Sequence, residues 1–192
     1  MLKKIGFWLG TVVAGLALGL GAAAFTLRGA SVSGNVNSGP WNTNLTAGGV
    51  DADATTRARI ALFGLLALDK KETIYYTAGT DSAGEKLDGS CTYVLKGSEL
   101  AARWWSVTAY GPDSYLIPNE ANVFSFSKPS VKREADGTYI VRISPTHQDG
   151  NWLPVKAGES FDMTARFYNP EADVYFAPDK AVLPTITKES CQ

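Results

Sequence analysis

From Ile5 to Phe25 the chain carries no charged side chain, and only Thr11 is conventionally polar. As a helix rising about 1.5 Å per residue, 21 such residues reach about 31 Å, the thickness of a bilayer's hydrocarbon core. Lys3 and Lys4 precede the run and Arg28 follows it. Two lysines and the initial amine favour a cytoplasmic amino end, which sends everything after Arg28 outward. Trp8 falls near the inner interface, where an amphipathic ring is comfortable. A cleaved signal peptide is the competing reading, because Ala22-Ala23-Ala24 offers an A-x-A site. Either reading exports the rest of the chain, and the first holds it outside the membrane on a single-pass anchor.

The segment divides the 192 residues into an anchor (1–28), a stalk (29–50) and an exported domain (51–192). Gly6, Gly10, Gly15 and Gly19 repeat a small-xxx-small spacing that allows close helix–helix packing, so a homo-oligomer is a candidate state; ordinary glycine-rich anchor composition explains the same spacing. The stalk assignment rests on a Ser/Asn/Gly/Thr-rich stretch from Ala30 to Gly49, with Val32, Val36, Pro40, Trp41 and Leu45 as its sizeable apolar groups. Trp41 is unusual in a pure linker and is a candidate for docking onto the domain.

Asp51 to Leu68 reads as a helix. Asp51 and Asp53 are candidate N-caps. Ala58, Leu62, Leu65 and Leu66, widened by Ile60, Phe63 and Ala67, form an apolar stripe that predicts packing against a sheet. Beyond Lys71 the period changes to two. Phe161 to Tyr168 alternates apolar and mostly polar residues, as does Thr138 to Ile143; Trp104–Tyr110, Asn122–Ser127, Thr73–Ala78 and Cys91–Leu95 complete six predicted strands. Asp88-Gly89 and Asp136-Gly137 read as hairpin dipeptides, since glycine accepts positive φ. The expected fold class is mainly β: an antiparallel β-sandwich or jelly-roll-like domain preceded by one amphipathic helix.

Two cysteines are too few for a disulfide scaffold or a Cys-based zinc site, and in an oxidising compartment Cys91 and Cys191 most simply pair with each other; two free thiols are the alternative. The chain holds 18 basic and 19 acidic residues. Setting aside Lys3, Lys4 and Arg28 leaves 15 basic against 19 acidic groups, so no basic patch points to nucleic acid. His147 is the sole histidine, with Asp149 nearby, but no recognised nucleophile context accompanies it. No metal motif, phosphate loop or cofactor signature is present. The carboxylates Asp113, Glu120, Asp149, Asp162 and Asp173 fall mostly at strand ends or on outward positions, and a carboxylate-based envelope hydrolase is the alternative function.

Aromatic and amide-rich segments at strand ends carry the binding hypothesis. Trp104, Tyr115, Asn119, Glu120, Asn122, Asn151 and Trp152 are candidate ligand-binding residues for a sugar or apolar small molecule, or for a protein partner. Structural roles compete with this: consecutive Trp104 and Trp105 face opposite sides of a sheet, and Asn119 and Asn151 are able to cap turns.

Asp51-Ala52-Asp53 with Arg57-Ala58, Glu72-Thr73-Ile74-Tyr75-Tyr76 and Leu87-Asp88-Gly89 before Cys91 resemble the bacterial domain-of-unknown-function family 1214. Arg103-Trp104-Trp105-Ser106, Ile117-Pro118-Asn119-Glu120-Ala121-Asn122, Asn151-Trp152-Leu153-Pro154 and Arg166-Phe167-Tyr168-Asn169-Pro170 extend the similarity from about Pro40 to Cys191. The resemblance implies a mainly antiparallel β domain in the bacterial envelope, often the carboxyl-terminal half of a longer exported protein, where here an anchor and stalk stand instead. It implies no activity and carries over no catalytic residue. The expected function is therefore a non-catalytic, membrane-anchored ligand- or partner-binding module.

Overall fold

A computed structural model describes residues 2–29, 35–62 and 67–191. Helix α1 (Leu2–Gly29) contains the apolar run, and Lys4–Leu27 is long and apolar enough to cross a membrane. Ten strands follow: β1 (Asn35–Ser38), β2 (Trp41–Asn44), β3 (Thr73–Ala78), β4 (Cys91–Gly97), β5 (Ala102–Tyr110), β6 (Ser125–Ser127), β7 (Tyr139–Ser144), β8 (Asn151–Pro154), β9 (Asp162–Pro170) and β10 (Thr185–Cys191). Helix α2 (Ala54–Leu62) lies between β2 and β3, and α3 (Ala172–Phe176) between β9 and β10. The strands form a six-stranded sheet, β1-β2-β3-β9-β5-β6, and a four-stranded sheet, β10-β4-β7-β8. All pairs are antiparallel except β7 with β8, which run parallel.

Alternation decides which side of each strand faces inward. On β9, Met163, Ala165 and Phe167 are buried; on β5, so are Trp105, Val107 and Ala109; on β3, Ile74, Tyr76 and Ala78. These meet Tyr93 and Leu95 of β4, Tyr139, Val141 and Ile143 of β7, and Ile186 of β10 in one apolar core. Trp105 stacks on Tyr139 across the two sheets with ring centroids 5.1 Å apart, an arrangement that adds to the area the two rings bury. The result is the two-layer, mainly β architecture that the period-two segments predict.

Three local features depart from the sequence reading. Residues 35–44 form the hairpin β1–β2 instead of a flexible stalk, although Trp41 does dock onto the domain as its size suggests: it is buried, its indole N–H donating to the Pro184 carbonyl at 2.8 Å. A buried indole supplies the apolar area that the surrounding small polar residues lack. The helix predicted from Asp51 to Leu68 is described over Ala54–Leu62; Phe63, Leu65 and Leu66, like Val32 of the stalk, lie outside the described residues. Asp53 caps it, its carboxylate accepting the Thr56 N–H at 2.7 Å. Asp136-Gly137 does carry a positive φ (+82° at Gly137), whereas Gly89 has no positive φ. Gly89 is required for a different reason: a Cβ there would stand 2.0 Å from the Lys156 carbonyl oxygen.

Cys91 and Cys191 are disulfide-bonded and face each other directly in the β4–β10 ladder. The crosslink spans 100 positions and fixes the carboxyl-terminal strand to the sheet edge.

Candidate functional site

The candidate binding residues do not gather at one place. Trp104 lies on the outward face of β5, edge-on to Tyr168 at 5.0 Å. Trp152 and Asn151 belong to the other sheet. The Trp152 indole donates to the Ser144 carbonyl and packs against His147, while the buried Asn151 amide donates to the Lys132 and Ile140 carbonyls and accepts the Lys132 N–H. Those three bonds fasten the segment before β7 to β7 itself. The Asn119 amide braces its own turn by donating to the carbonyls of Ile117 and Val123 and accepting the Val123 N–H. Asn122 closes that turn at φ +53°, and Glu120 and Tyr115 are exposed in the β5–β6 connection. Asp113, Asp149, Asp162 and Asp173 are exposed residues as well, although burial of the Asp162 carboxyl raises its pKa, and among the described residues none of them forms an ion pair with His147.

A different set of side chains does converge. The register pairs Tyr75 of β3 with Arg166 of β9, and Arg166 with Ser106 of β5; Thr77 faces Thr164, which faces Thr108. Since side chains alternate across a strand, Tyr75, Thr77, Thr164, Arg166, Tyr168, Thr108 and Tyr110 all lie on the outer face of the larger sheet. Above them pass α2, through Ile60, and the segment Ala67-Leu68, while Asn42 and Asn44 of β2 close one side. Between floor and roof is a cleft of about 610 Å³. Over its described length, Ala54–Leu62, α2 does not seal against the sheet: the floor is polar, and only Thr56 is buried.

Two details hold the roof in place. The Leu68 N–H donates to the Tyr75 hydroxyl at 3.3 Å. Gly48, at φ +79°, lets the chain pass close, since a Cβ there would stand 2.4 Å from the Leu68 carbonyl oxygen. The preceding turn is built by the Asn44 side chain, whose oxygen accepts the N–H groups of Thr46 and Ala47.

Arg166 is the charged group of this cleft. It donates to the Thr108 hydroxyl at 3.2 Å and to the Tyr110 hydroxyl at 2.5 Å. Its guanidinium carbon lies 5.2 Å from the Tyr110 ring centre and 5.9 Å from that of Tyr75. Among the described residues no carboxylate pairs with it, whereas Arg133 pairs with Glu99 and Arg142 approaches Glu189. Sequence reasoning passed over Arg166, Tyr75 and Tyr110. The alternation places Arg166 and Tyr168 outward together, but only the register reveals which residues of distant strands stand beside them.

A second cavity, about 570 Å³, lies under α3 and is bordered by Glu99, Lys180, Phe176 and Val182. Of its two carboxylates, Asp173 is exposed and Glu99 is already engaged. Burial alone would raise the Glu99 pKa, but hydrogen bonds from Lys128 and the Trp105 indole, with the charges of Lys128 and Arg133, outweigh that and hold it below the usual value. Deeper in the core, burial pushes the Tyr76 and Tyr139 phenols well above their ordinary pKa. The two phenols are buried, whereas Glu99 is exposed but already held by Lys128 and Arg133.

A family model described as a protein of unknown function (DUF1214) matches residues 72–172. Among solved structures, the VPA0106 protein from Vibrio parahaemolyticus superposes with a TM-score of 0.62 at 25% identity, covering 95% of this chain and 45% of that one. An uncharacterized protein from Burkholderia cenocepacia gives a TM-score of 0.45 at 15% identity over 63% of this chain and 30% of its own. The chain thus spans less than half the length of either. No curated protein matches.

Proposed function

The chain belongs to the DUF1214 family of proteins of unknown function, and from that premise we propose that it is a non-catalytic binding module, tethered to the bacterial inner membrane and facing the periplasm, whose site is the cleft beneath α2. The observation that carries the reading is the convergence of one guanidinium that pairs with no carboxylate among the described residues, three tyrosines and several neutral hydroxyls and amides on one open cleft. A cleft of about 610 Å³ falls within the range of small-molecule sites. Among the described residues its lining holds no Asp, Glu or His to act as an acid/base pair, which favours binding over hydrolysis.

Three features support this address. The apolar helix Lys4–Leu27 is long enough to span the hydrocarbon core, and lysines on its amino side favour retention of that end in the cytoplasm. The Cys91–Cys191 cystine is characteristic of an oxidising compartment. Five residues separate Gly29 from Asn35, so an extended connection reaches only about 20 Å. Asn35 is paired with Asn44, which lines the cleft, and α1 contacts α2. The tether therefore keeps the cleft close to the membrane surface.

Ligand-observed NMR with a small-fragment collection on the full chain in phosphatidylcholine nanodiscs tests the site. Fragments that bind the wild type are expected to be lost in Thr77→Trp, which fills the cleft from an exposed position on β3. Hits that persist unchanged in Thr77→Trp, or a complete lack of hits, would overturn the assignment. A phosphatase reporter joined after Gln192 is expected to be active only if the domain is exported.

A further inference from the structure

We propose that the ligand of this cleft is an organic monocarboxylate, its carboxylate held on Arg166 and its apolar or ring-shaped body lying beneath Ile60 and Leu68. The inference rests on the cleft being a binding site and names the class of molecule it takes.

The first step is the state of Arg166. A guanidinium has five N–H donors in a planar fork. Here two of its bonds go to the hydroxyls of Thr108 and Tyr110, both neutral. Those partners orient the group without cancelling its charge. Tyr110 and Tyr75 flank it with their rings, which favours a cation but adds no counter-ion. Arg166 is half-buried, and withdrawing an unpaired cation from water is unfavourable. The chain supplies no carboxylate to it among the described residues. The arrangement is complementary to an oxyanion brought by something else: each terminal nitrogen gives one N–H to a hydroxyl, and three of the five donors remain for a charge-assisted contact.

The second step is the number of charges. Among the described residues, the lining contains neither a lysine nor a second arginine, nor any Asp or Glu. A phosphate monoester brings roughly 1.5–2 negative charges at neutral pH, about twice what one guanidinium balances. A carboxylate brings one. The third step is the rest of the cavity. Ile60, Ala67 and Leu68 make the roof apolar, whereas Asn42, Thr77 and Thr164 keep the floor polar. A molecule with one anionic end and a compact apolar or ring body satisfies both surfaces, and a free inorganic anion leaves most of the space unfilled.

The experiment titrates the full chain in phosphatidylcholine nanodiscs with 4-phenylbutyrate, its uncharged analogue 4-phenylbutyramide, and 3-phenylpropyl phosphate, following each by calorimetry. The carboxylate is expected to bind at least tenfold more tightly than the amide and more tightly than the phosphate. Arg166→Gln should erase the preference for carboxylate over amide, and Arg166→Lys should restore only part of it, because a point charge lacks the fork. Equal binding of carboxylate and amide to the wild type, tighter binding of the phosphate, or an Arg166→Gln protein that still prefers the carboxylate would each overturn the monocarboxylate assignment. If Thr77→Trp abolishes binding in those cases, the cleft remains the binding site and only the ligand class is wrong. If no probe binds in a manner that Thr77→Trp removes, both the class and the site fail.

Discussion

Replacing Trp41 with alanine tests whether the hairpin β1–β2 belongs to the cooperative fold. Trp41 is 1% exposed, and its indole N–H bonds the Pro184 carbonyl, 143 positions away. The ladder between β2 and β3 is short, with Asn42 opposite Thr77 as its register pair. The hairpin's attachment therefore depends heavily on this one side chain. Truncating a buried aromatic to alanine costs about 3–5 kcal/mol, a range that already includes part of the roughly 1 kcal/mol lost with the indole hydrogen bond. We expect about 4 kcal/mol. For a domain of this size each kcal/mol moves the midpoint by about 2–4 °C, so the Tm should fall by about 8–16 °C. Trp41→Phe keeps most of the apolar area and should lose about a third of that. Circular dichroism melting and urea unfolding of the full chain in detergent read both variants. A loss under about 0.5 kcal/mol, the range of ordinary surface substitutions, would mean that residues 35–44 are a stalk after all. Since Asn42 and Asn44 wall the cleft, Trp41→Ala should also weaken whatever binds there.

Substituting serine for both Cys91 and Cys191 removes a crosslink spanning 100 positions and should lower stability by about 2–4 kcal/mol, read as a drop in the urea midpoint; a wild-type midpoint insensitive to reductant would show that the cystine does not form. The Glu99 carboxylate has a folded pKa below its unfolded value, so its contribution is fully present above the unfolded pKa and lost as pH falls through the folded one. The stability gap between wild type and Glu99→Gln should accordingly be constant near neutrality and close in the acid range below the ordinary carboxylate pKa; a gap that widens on acidification would refute the assignment. Gly97→Ala places a Cβ 2.5 Å from the Tyr139 hydroxyl and 2.6 Å from its ring, in a core where Tyr139 is pinned against Trp105, and should cost about 1–3 kcal/mol. Tyr139→Phe removes a buried hydroxyl that has no hydrogen-bond partner among the described residues, and Gly97→Ala should be less damaging in that background; equal losses in both backgrounds would rule out the close contact as the cause.

The strands that were legible in the sequence are those with one buried and one wetter face. β3, β7 and β9 show the alternation plainly because Ile74-Tyr76-Ala78, Tyr139-Val141-Ile143 and Met163-Ala165-Phe167 each interleave with smaller or polar neighbours. β8 gives no such signal. Asn151, Leu153 and Pro154 are all buried, and Asn151 is polar because it satisfies backbone groups of two other segments rather than water. β10 has a single buried apolar residue, Ile186, because it is an edge strand, so its sequence Thr185-Ile186-Thr187-Lys188-Glu189-Ser190 resembles a tail. The hairpin β1–β2 fails for the same reason in stronger form. Its Asn and Thr side chains pair across the ladder, as Asn42 does with Asn37 and Asn44 with Asn35, in a pattern indistinguishable by composition from a soluble linker.

The site was hidden by a different cause. The aromatic–amide motifs attract notice because Trp and Asn are conspicuous in strand-end loops, yet Asn119 and Asn151 spend their amides on backbone groups of their own surroundings. Arg166 is inconspicuous, one polar residue on the outward side of an alternating strand, where a solvated arginine is the ordinary expectation. What makes it different is the identity of its cross-strand neighbours. Tyr75 lies 91 positions earlier in the chain, and Tyr110 lies 56 positions earlier. Period-two patterning fixes the face a residue occupies but leaves the partner strand and register open. A solvated arginine and a ligand-binding one therefore have the same local sequence, and they separate only when β3 and β5 are laid on either side of β9. Once that is done, the informative fact is that no carboxylate among the described residues pairs with this cation: its bonded neighbours are the Thr108 and Tyr110 hydroxyls, and the proposed carboxylate ligand would bring the balancing charge from outside.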